Sequence, residues 1–201
     1  MPLWLKIAWT IGLAIWAPAY WTHYGAQNFL FFCDLGNILI GVALWTESPL
    51  LFSWQATGLL LFQTLFVIDL ATAFLFGRHV IGGTEYMFDS TIPVWLRCMS
   101  LFHLVTPPLL IWALWRLGYD SRGWKLQTLM LWIVIPINYF WRPSYDVNFA
   151  RGLFFREQHW VPGFVYVLAY FVLVPLLVYW PTHRLLQSWM PSRNHTPRNL
   201  Q

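Results

Sequence analysis

The amino-acid sequence predicts an all-α fold, a polytopic transmembrane bundle of about six helices. Three observations lead there. Charge is scarce, apolar runs long enough to cross a bilayer recur along the chain, and Trp and Tyr gather at the ends of those runs. Charged residues are 10% of the 201 positions and hydrophobic ones 58%, whereas a soluble domain carries roughly 25% charged residues. So few charges cannot clothe a water-facing surface, and lipid must cover most of the outside. The formal net charge of +4 is spread over the loops rather than gathered in a block, which leaves nucleic-acid binding without a footing.

A span needs about 20 predominantly apolar residues, and the chain offers six candidates, at 3–20, 28–45, 51–77, 94–117, 124–141 and 161–180. The first contains Lys6, whose long stem lets its ammonium reach the interface. It also ends in Ala17-Pro18-Ala19, which reads alternatively as a signal-peptide cleavage site; retention as a span is expected. The second stops at Glu47-Ser48-Pro49, a turn so short that the second and third spans must form an antiparallel hairpin. The fourth carries Pro107-Pro108 near its middle, where two missing backbone donors predict a kink. Gly118 to Gly123 is a tight turn whose Asp120, Arg122 and Lys125 read as solvated. Pro136 lies inside the fifth span, and Pro181 closes the sixth. Residues 1–181 thus form one transmembrane domain, and 182–201 a polar tail.

Trp4, Trp21, Trp45, Trp115, Trp124, Trp141, Trp160 and Trp180 fall at span ends, where amphipathic rings favour the headgroup level. With the N terminus inside, the inner set of cations is Lys6, Arg116, Arg122, Lys125, Arg184, Arg193 and Arg198, seven in all. The outer set is Arg78, Arg97, Arg142, Arg151 and Arg156, five in all. Seven against five places both termini in the cytoplasm. Cys33 and Cys98 fall near span ends on one side, so a disulfide is geometrically open, but free thiols packing as small hydrophobes are expected.

Polar residues within spans are costly and face the bundle interior. Asp34 and Asn37 share one helix face, as do Asp69 and Thr72, while Ser100, His103 and Thr106 form a stripe at three-residue spacing. Asn37, Gln63 and Asn138 read as interhelical glue. At 1.5 Å per residue Asp34 lies roughly 9 Å from its outer end, Asp69 roughly 12 Å, and Ser100 and His103 roughly 10–15 Å. All are therefore expected in one outer-leaflet pocket, covered by His23, Asn28, Asp89, Asp146 and His159. The catalytic set read from the sequence is Asp34, Asp69 and His103, with Ser100 and Asp89 nearby. Two carboxylates and an imidazole suit a zinc ion with one open position. Ser100 or Cys98 beside His103 or Asp69 suits a nucleophile and base, and Asp34, Asp69 and His103 suit a proton or ion relay. None of these has a diagnostic spacing: HxxxH, HExxH, CxxC, GxSxG and glycine-rich phosphate loops are all missing.

The runs Asn28-Phe29-Leu30-Phe31-Phe32-Cys33-Asp34, Ala43-Leu44-Trp45-Thr46-Glu47-Ser48-Pro49 and Glu85-Tyr86-Met87-Phe88-Asp89 carry a resemblance. So do Leu96-Arg97, Ser100-Leu101-Phe102-His103, Pro107-Pro108 and Trp115-Arg116-Leu117-Gly118-Tyr119-Asp120. Over about 28–148 the chain resembles an uncharacterised group of bacterial multi-pass membrane proteins. That resemblance implies a bacterial inner-membrane location and no established activity. The resemblance to ceramidase-like and adiponectin-receptor-like hydrolases is poor, because their paired zinc histidines are missing. The leading expectation is a membrane-embedded enzyme acting on a lipid or apolar substrate through the outer Asp/His cluster. The alternatives are a proton- or ion-coupled transporter or channel, and a non-catalytic subunit that contacts membrane-protein partners.

Overall fold

The computed structural model describes residues 1–141, 145–153 and 157–191. Among them are eight α-helices and no strand: α1 (Leu3–Tyr24), α2 (Phe32–Thr46), α3 (Pro49–Phe76), α4 (Val94–Met99), α5 (Phe102–Leu117), α6 (Gly123–Phe140), α7 (Gly163–Val174) and α8 (Trp180–Trp189). The all-α bundle is as the sequence predicts. Three helical runs are long and apolar enough to cross a membrane: Pro49–Phe76, Val94–Leu117 and Gly163–Trp189. Large apolar side chains stand exposed along their outer faces, among them Phe74, Leu75, Leu104, Ile111, Leu168 and Val172. An exposed apolar face of this extent belongs in lipid.

The centre of the bundle is α3, which packs against α2, α5 and α6. Its start is fixed locally: Ser48 Oγ accepts the Leu51 N–H at 3.3 Å and Pro49 occupies the first turn, where its missing donor costs nothing. Its end is the left-handed Gly77. The α2–α3 hairpin forms as expected and is pinned to α1 by Lys6 Nζ on Glu47 at 2.7 Å. The main core joins Ile40 and Leu44 of α2, Phe52, Ala56 and Leu59 of α3, and Leu110, Ala113 and Leu114 of α5. The start of α6 lies directly on α3. A Cβ on Gly123 would fall 2.6 Å from the Ser53 carbonyl carbon and the Trp54 nitrogen, so only glycine permits that approach.

Four boundaries differ from the sequence reading. First, the fourth span breaks at Ser100–Leu101, between α4 and α5, while Pro107 and Pro108 lie inside α5. The chain there runs through i→i+3 bonds, His103 N to Ser100 O and Leu104 N to Leu101 O, so the change in winding sits just ahead of the prolines. Second, α2 starts at Phe32, after a 3₁₀ turn at Ala26–Leu30, because Asn148 captures the Phe32 N–H and the Leu30 carbonyl. Third, Pro181 does not close the last helix. A π turn at Pro175–Tyr179 joins α7 to α8, and its wider ring accommodates a proline that has no N–H to give. The tail expected from Thr182 is therefore helical to Trp189, and the rest of it lies outside the described residues. Fourth, the turn at Gly118–Arg122 is only partly solvated: Arg122 and Lys125 are exposed as expected, but Tyr119 and Asp120 are buried, and Tyr119 N–H is tied to the Pro191 carbonyl at 2.8 Å.

Candidate functional site

One end of the bundle carries the long loop 77–93 and the segments 145–153 and 157–162; the other carries the tight turns at Glu47 and Gly118. At the loop end four elements deliver polar side chains to one buried spot. Tyr20, one turn from the end of α1, places its hydroxyl 2.7 Å from Ser100 Oγ, at the α4–α5 break. Asp34, in the first turn of α2, is 3% exposed. Its carboxylate accepts from Asn28 Nδ2 at 2.6 Å and faces the Cys33 thiol at 3.7 Å. Among the described residues no Lys or Arg pairs with it. Tyr86 reaches Ser100 from the 3₁₀ turn at Glu85–Met87, lies in the electrostatic field of Asp34, and keeps its phenol proton because burial pushes its pKa up. His103, the second residue of α5, bonds through Nδ1 to the Ser100 carbonyl at 2.7 Å and is stacked between Phe66 and Phe102, ring centres 4.2 and 4.1 Å away.

Of the five residues singled out in the sequence, Asp34, Ser100 and His103 therefore belong to one cluster. Asp69 and Asp89 do not join it. Asp69, fully buried on α3, accepts the backbone N–H groups of Ile81 and Gly82 at 2.7 and 2.9 Å, His79 Nδ1 at 2.9 Å, and the Thr84 hydroxyl. It clamps the loop that follows Gly77, so its oxygens are engaged in holding backbone. Asp89 sits in the exposed loop and accepts from Thr91 N and Oγ1 at 2.8 and 2.7 Å, contacts that hold its carboxyl below the usual range. The expected convergence of Asp34, Asp69 and His103 in one pocket is not what the side chains form. Among the described residues no three His, Cys, Asp or Glu side chains come together in a way that could hold a metal ion, so no zinc set is assembled. Both cysteines are free thiols.

The covering residues divide as well. Asn28 touches Asp34 directly. His23 stacks edge-on against Tyr24, ring centres 4.8 Å apart. Asp146 accepts the Arg151 N–H at 2.7 Å and shapes the 145–153 segment; burial raises its pKa. His159 lines a separate hollow. Reading the sequence did not single out Tyr20, His79, Thr84 or Tyr86. The one pointer was Tyr86, in the Glu-Tyr-Met-Phe-Asp run that carries the family resemblance.

Polar side chains continue through the bundle on α3 and α6. The amides of Gln55, Gln63 and Asn138 are buried and have no hydrogen-bond partner among the described residues, and Gln127 has only Tyr179 Oη, at 3.2 Å. At the turn end, Tyr119 Oη lies 2.8 Å from His183 Nδ1 and 3.4 Å from Thr57 Oγ1, and Asp120 N–H donates to Ser53 Oγ at 2.8 Å. Burial raises the Tyr119 pKa.

Fold and site together define an all-α helical membrane protein with a buried acid–hydroxyl cluster at its loop end. No family model matches the chain, and no curated protein or solved structure matches it either.

Proposed function

We propose that this chain is a multi-pass protein of a bacterial inner membrane, with the turn end in the cytoplasm. In this reading it passes protons, alone or with a small solute, through its helix bundle by way of Asp34. The observation that carries the reading is Asp34 itself: a carboxyl group 3% exposed, held by an amide and a thiol and by no cation among the described residues. An ionised carboxylate buried without a cation costs several kcal/mol, and intramembrane carboxyls of this kind mark proton routes. The hydroxyls of Tyr20 and Ser100 offer a relay beside it. Buried polar groups at Gln63, Gln55, Gln127 and the Tyr119–His183 pair extend the series toward the turn end. The bacterial setting and the number of spans rest on the resemblance and on the hydropathy of the chain.

A second reading, the lipid-directed enzyme, is favoured by one feature: Ser100 meets Tyr20 through its hydroxyl and His103 through its backbone carbonyl. Proteoliposomes separate the two. With a pH-sensitive dye inside, the wild type is expected to dissipate an imposed proton gradient faster than empty liposomes. Asp34→Asn should fall back to the empty rate while inserting equally well. No extra flux, with lipid consumed in the same vesicles, would replace transport by catalysis; neither activity would remove both readings.

A further inference from the structure

We propose a binding site for the headgroup of a zwitterionic aminophospholipid where α6 ends and α7 begins. It rests on the membrane reading of the bundle and is independent of the proton route. Two hollows lie side by side there. One, of about 450 Å³, is lined by Tyr139, Arg151 and the strip from Glu157 to Gly163. The other, of about 270 Å³, is lined by Leu153, Trp160 and Tyr166 together with Glu157, Gln158 and His159. The strip 157–160 is shared by both, so a molecule seated across it would place a charged part in the first and an apolar part in the second.

The charges in the first hollow specify the head. Arg151 gives Nε–H to Glu157 Oε1 at 3.1 Å and a second N–H to the same oxygen, and donates through Nη1 to the Tyr139 carbonyl at 3.2 Å. Its guanidinium also lies over the Tyr139 ring, 4.9 Å from the centre. Three of its five N–H groups are thus used, and neither the other two nor Glu157 Oε2 has a partner among the described residues. A cation with spare donors beside an anion with a spare oxygen suits a phosphate linked to a primary ammonium: the phosphate takes Arg151 and the ammonium takes Glu157. A head with net negative charge would meet Glu157 unpaired. A trimethylated ammonium has no N–H to give it. The height is right too, since α7 opens a run long and apolar enough to cross the bilayer, and Trp160, 76% exposed, stands just before its first residue.

The test is native mass spectrometry of the delipidated full chain in detergent, titrated with dioleoyl phosphatidylethanolamine, phosphatidylcholine and phosphatidylglycerol. The ethanolamine lipid is expected to bind about tenfold more tightly than either other lipid, the factor for one interaction of 1.4 kcal/mol. Glu157→Gln should bring the three lipids level, and Glu157→Asp, which keeps the charge, should restore the order. Trp160→Ala should weaken all three alike. Equal binding of the three lipids by the wild type would overturn the proposal. So would a preserved preference in Glu157→Gln, or, should that variant melt early, no preference in a stably folded Glu157→Asp. Free phosphoethanolamine competing as well as the whole lipid would also overturn it, since the apolar hollow would then have no role.

Discussion

The Tyr20 hydroxyl lies 2.7 Å from Ser100 Oγ, across a sequence separation of 80 residues. This one bond ties the end of α1 to the break between α4 and α5, within the electrostatic reach of Asp34. Both residues are buried, at 5% and 3% exposure, so water does not readily replace a partner lost there.

Removing one partner should therefore cost more than removing both. Ser100→Ala leaves the Tyr20 hydroxyl buried with one partner fewer, and a destabilisation of roughly 1–3 kcal/mol is expected. Tyr20→Phe combined with Ser100→Ala should recover part of that loss. Thermal unfolding in detergent of the two single variants and the double variant measures the coupling; strictly additive losses would show that the bond contributes nothing.

Asp69 is predicted to act as the clamp of the loop that follows α3. In Asp69→Ala, the N–H groups of Ile81 and Gly82 lose their acceptor, each at roughly 1–3 kcal/mol if it stays buried, so the loop should open to water instead. Limited trypsin digestion reads this directly, because Arg78 lies within the released segment. Cleavage there should rise roughly tenfold or more, as for a local opening made easier by over 1.4 kcal/mol, while the helices stay protected. Unchanged cleavage would mean that the loop is held by other contacts.

The link between Lys6 and Glu47 gives a pH dependence. The Lys6 hydrogen bond is the largest cause that lowers the Glu47 pKa, from 4.5 to about 2. A carboxyl whose folded pKa is depressed adds stability above its ordinary value and loses it as the pH falls through the folded one. The α1-to-hairpin pin should therefore be intact above about pH 4.5 and vanish toward pH 2. Glu47 is 42% exposed, so solvent screening keeps the effect small. Melting temperature against pH should show a shallower acid limb in Glu47→Gln than in the wild type.

Two glycines on the α3–α6 contact should respond differently. Gly123→Ala drives a Cβ into the α3 backbone at 2.6 Å and should cost about 1–3 kcal/mol. Gly58→Ala meets the Gln127 amide, a flexible side chain that can swing away, and should cost less. Equal melting temperatures for the two variants would show that α6 slides freely on α3.

The architecture was legible in the sequence because it follows from composition and run length. The Glu47-Ser48-Pro49 turn could be only a hairpin, and the N-cap and proline at the start of α3 confirm it. What escaped were effects of partners distant in sequence. Asn148 sets the start of α2 from 116 residues away, and the π turn that carries the last helix past Pro181 leaves no local mark. At the site, spacing placed Ser100 and His103 together because both lie within one turn. Depth along the helix also put Asp69 at a suitable level. Depth says nothing about which way a side chain is engaged, and the loop residues His79, Ile81, Gly82 and Thr84 claim Asp69 from outside the spans. Tyr20 escaped because an aromatic residue at a span end reads as part of an interface belt, and Tyr86 because it lies in a loop, outside the spans.

The most direct test of the central claim is an infrared pH titration of the purified protein beside Asp34→Asn, following the carboxylic acid C=O absorption. If Asp34 takes up and releases a proton inside the bundle, the wild type will show a protonated carboxyl band that disappears as the pH rises and is missing from Asp34→Asn. Identical spectra for the two proteins across the whole titration would contradict the account and leave Asp34 a structural acceptor for Asn28.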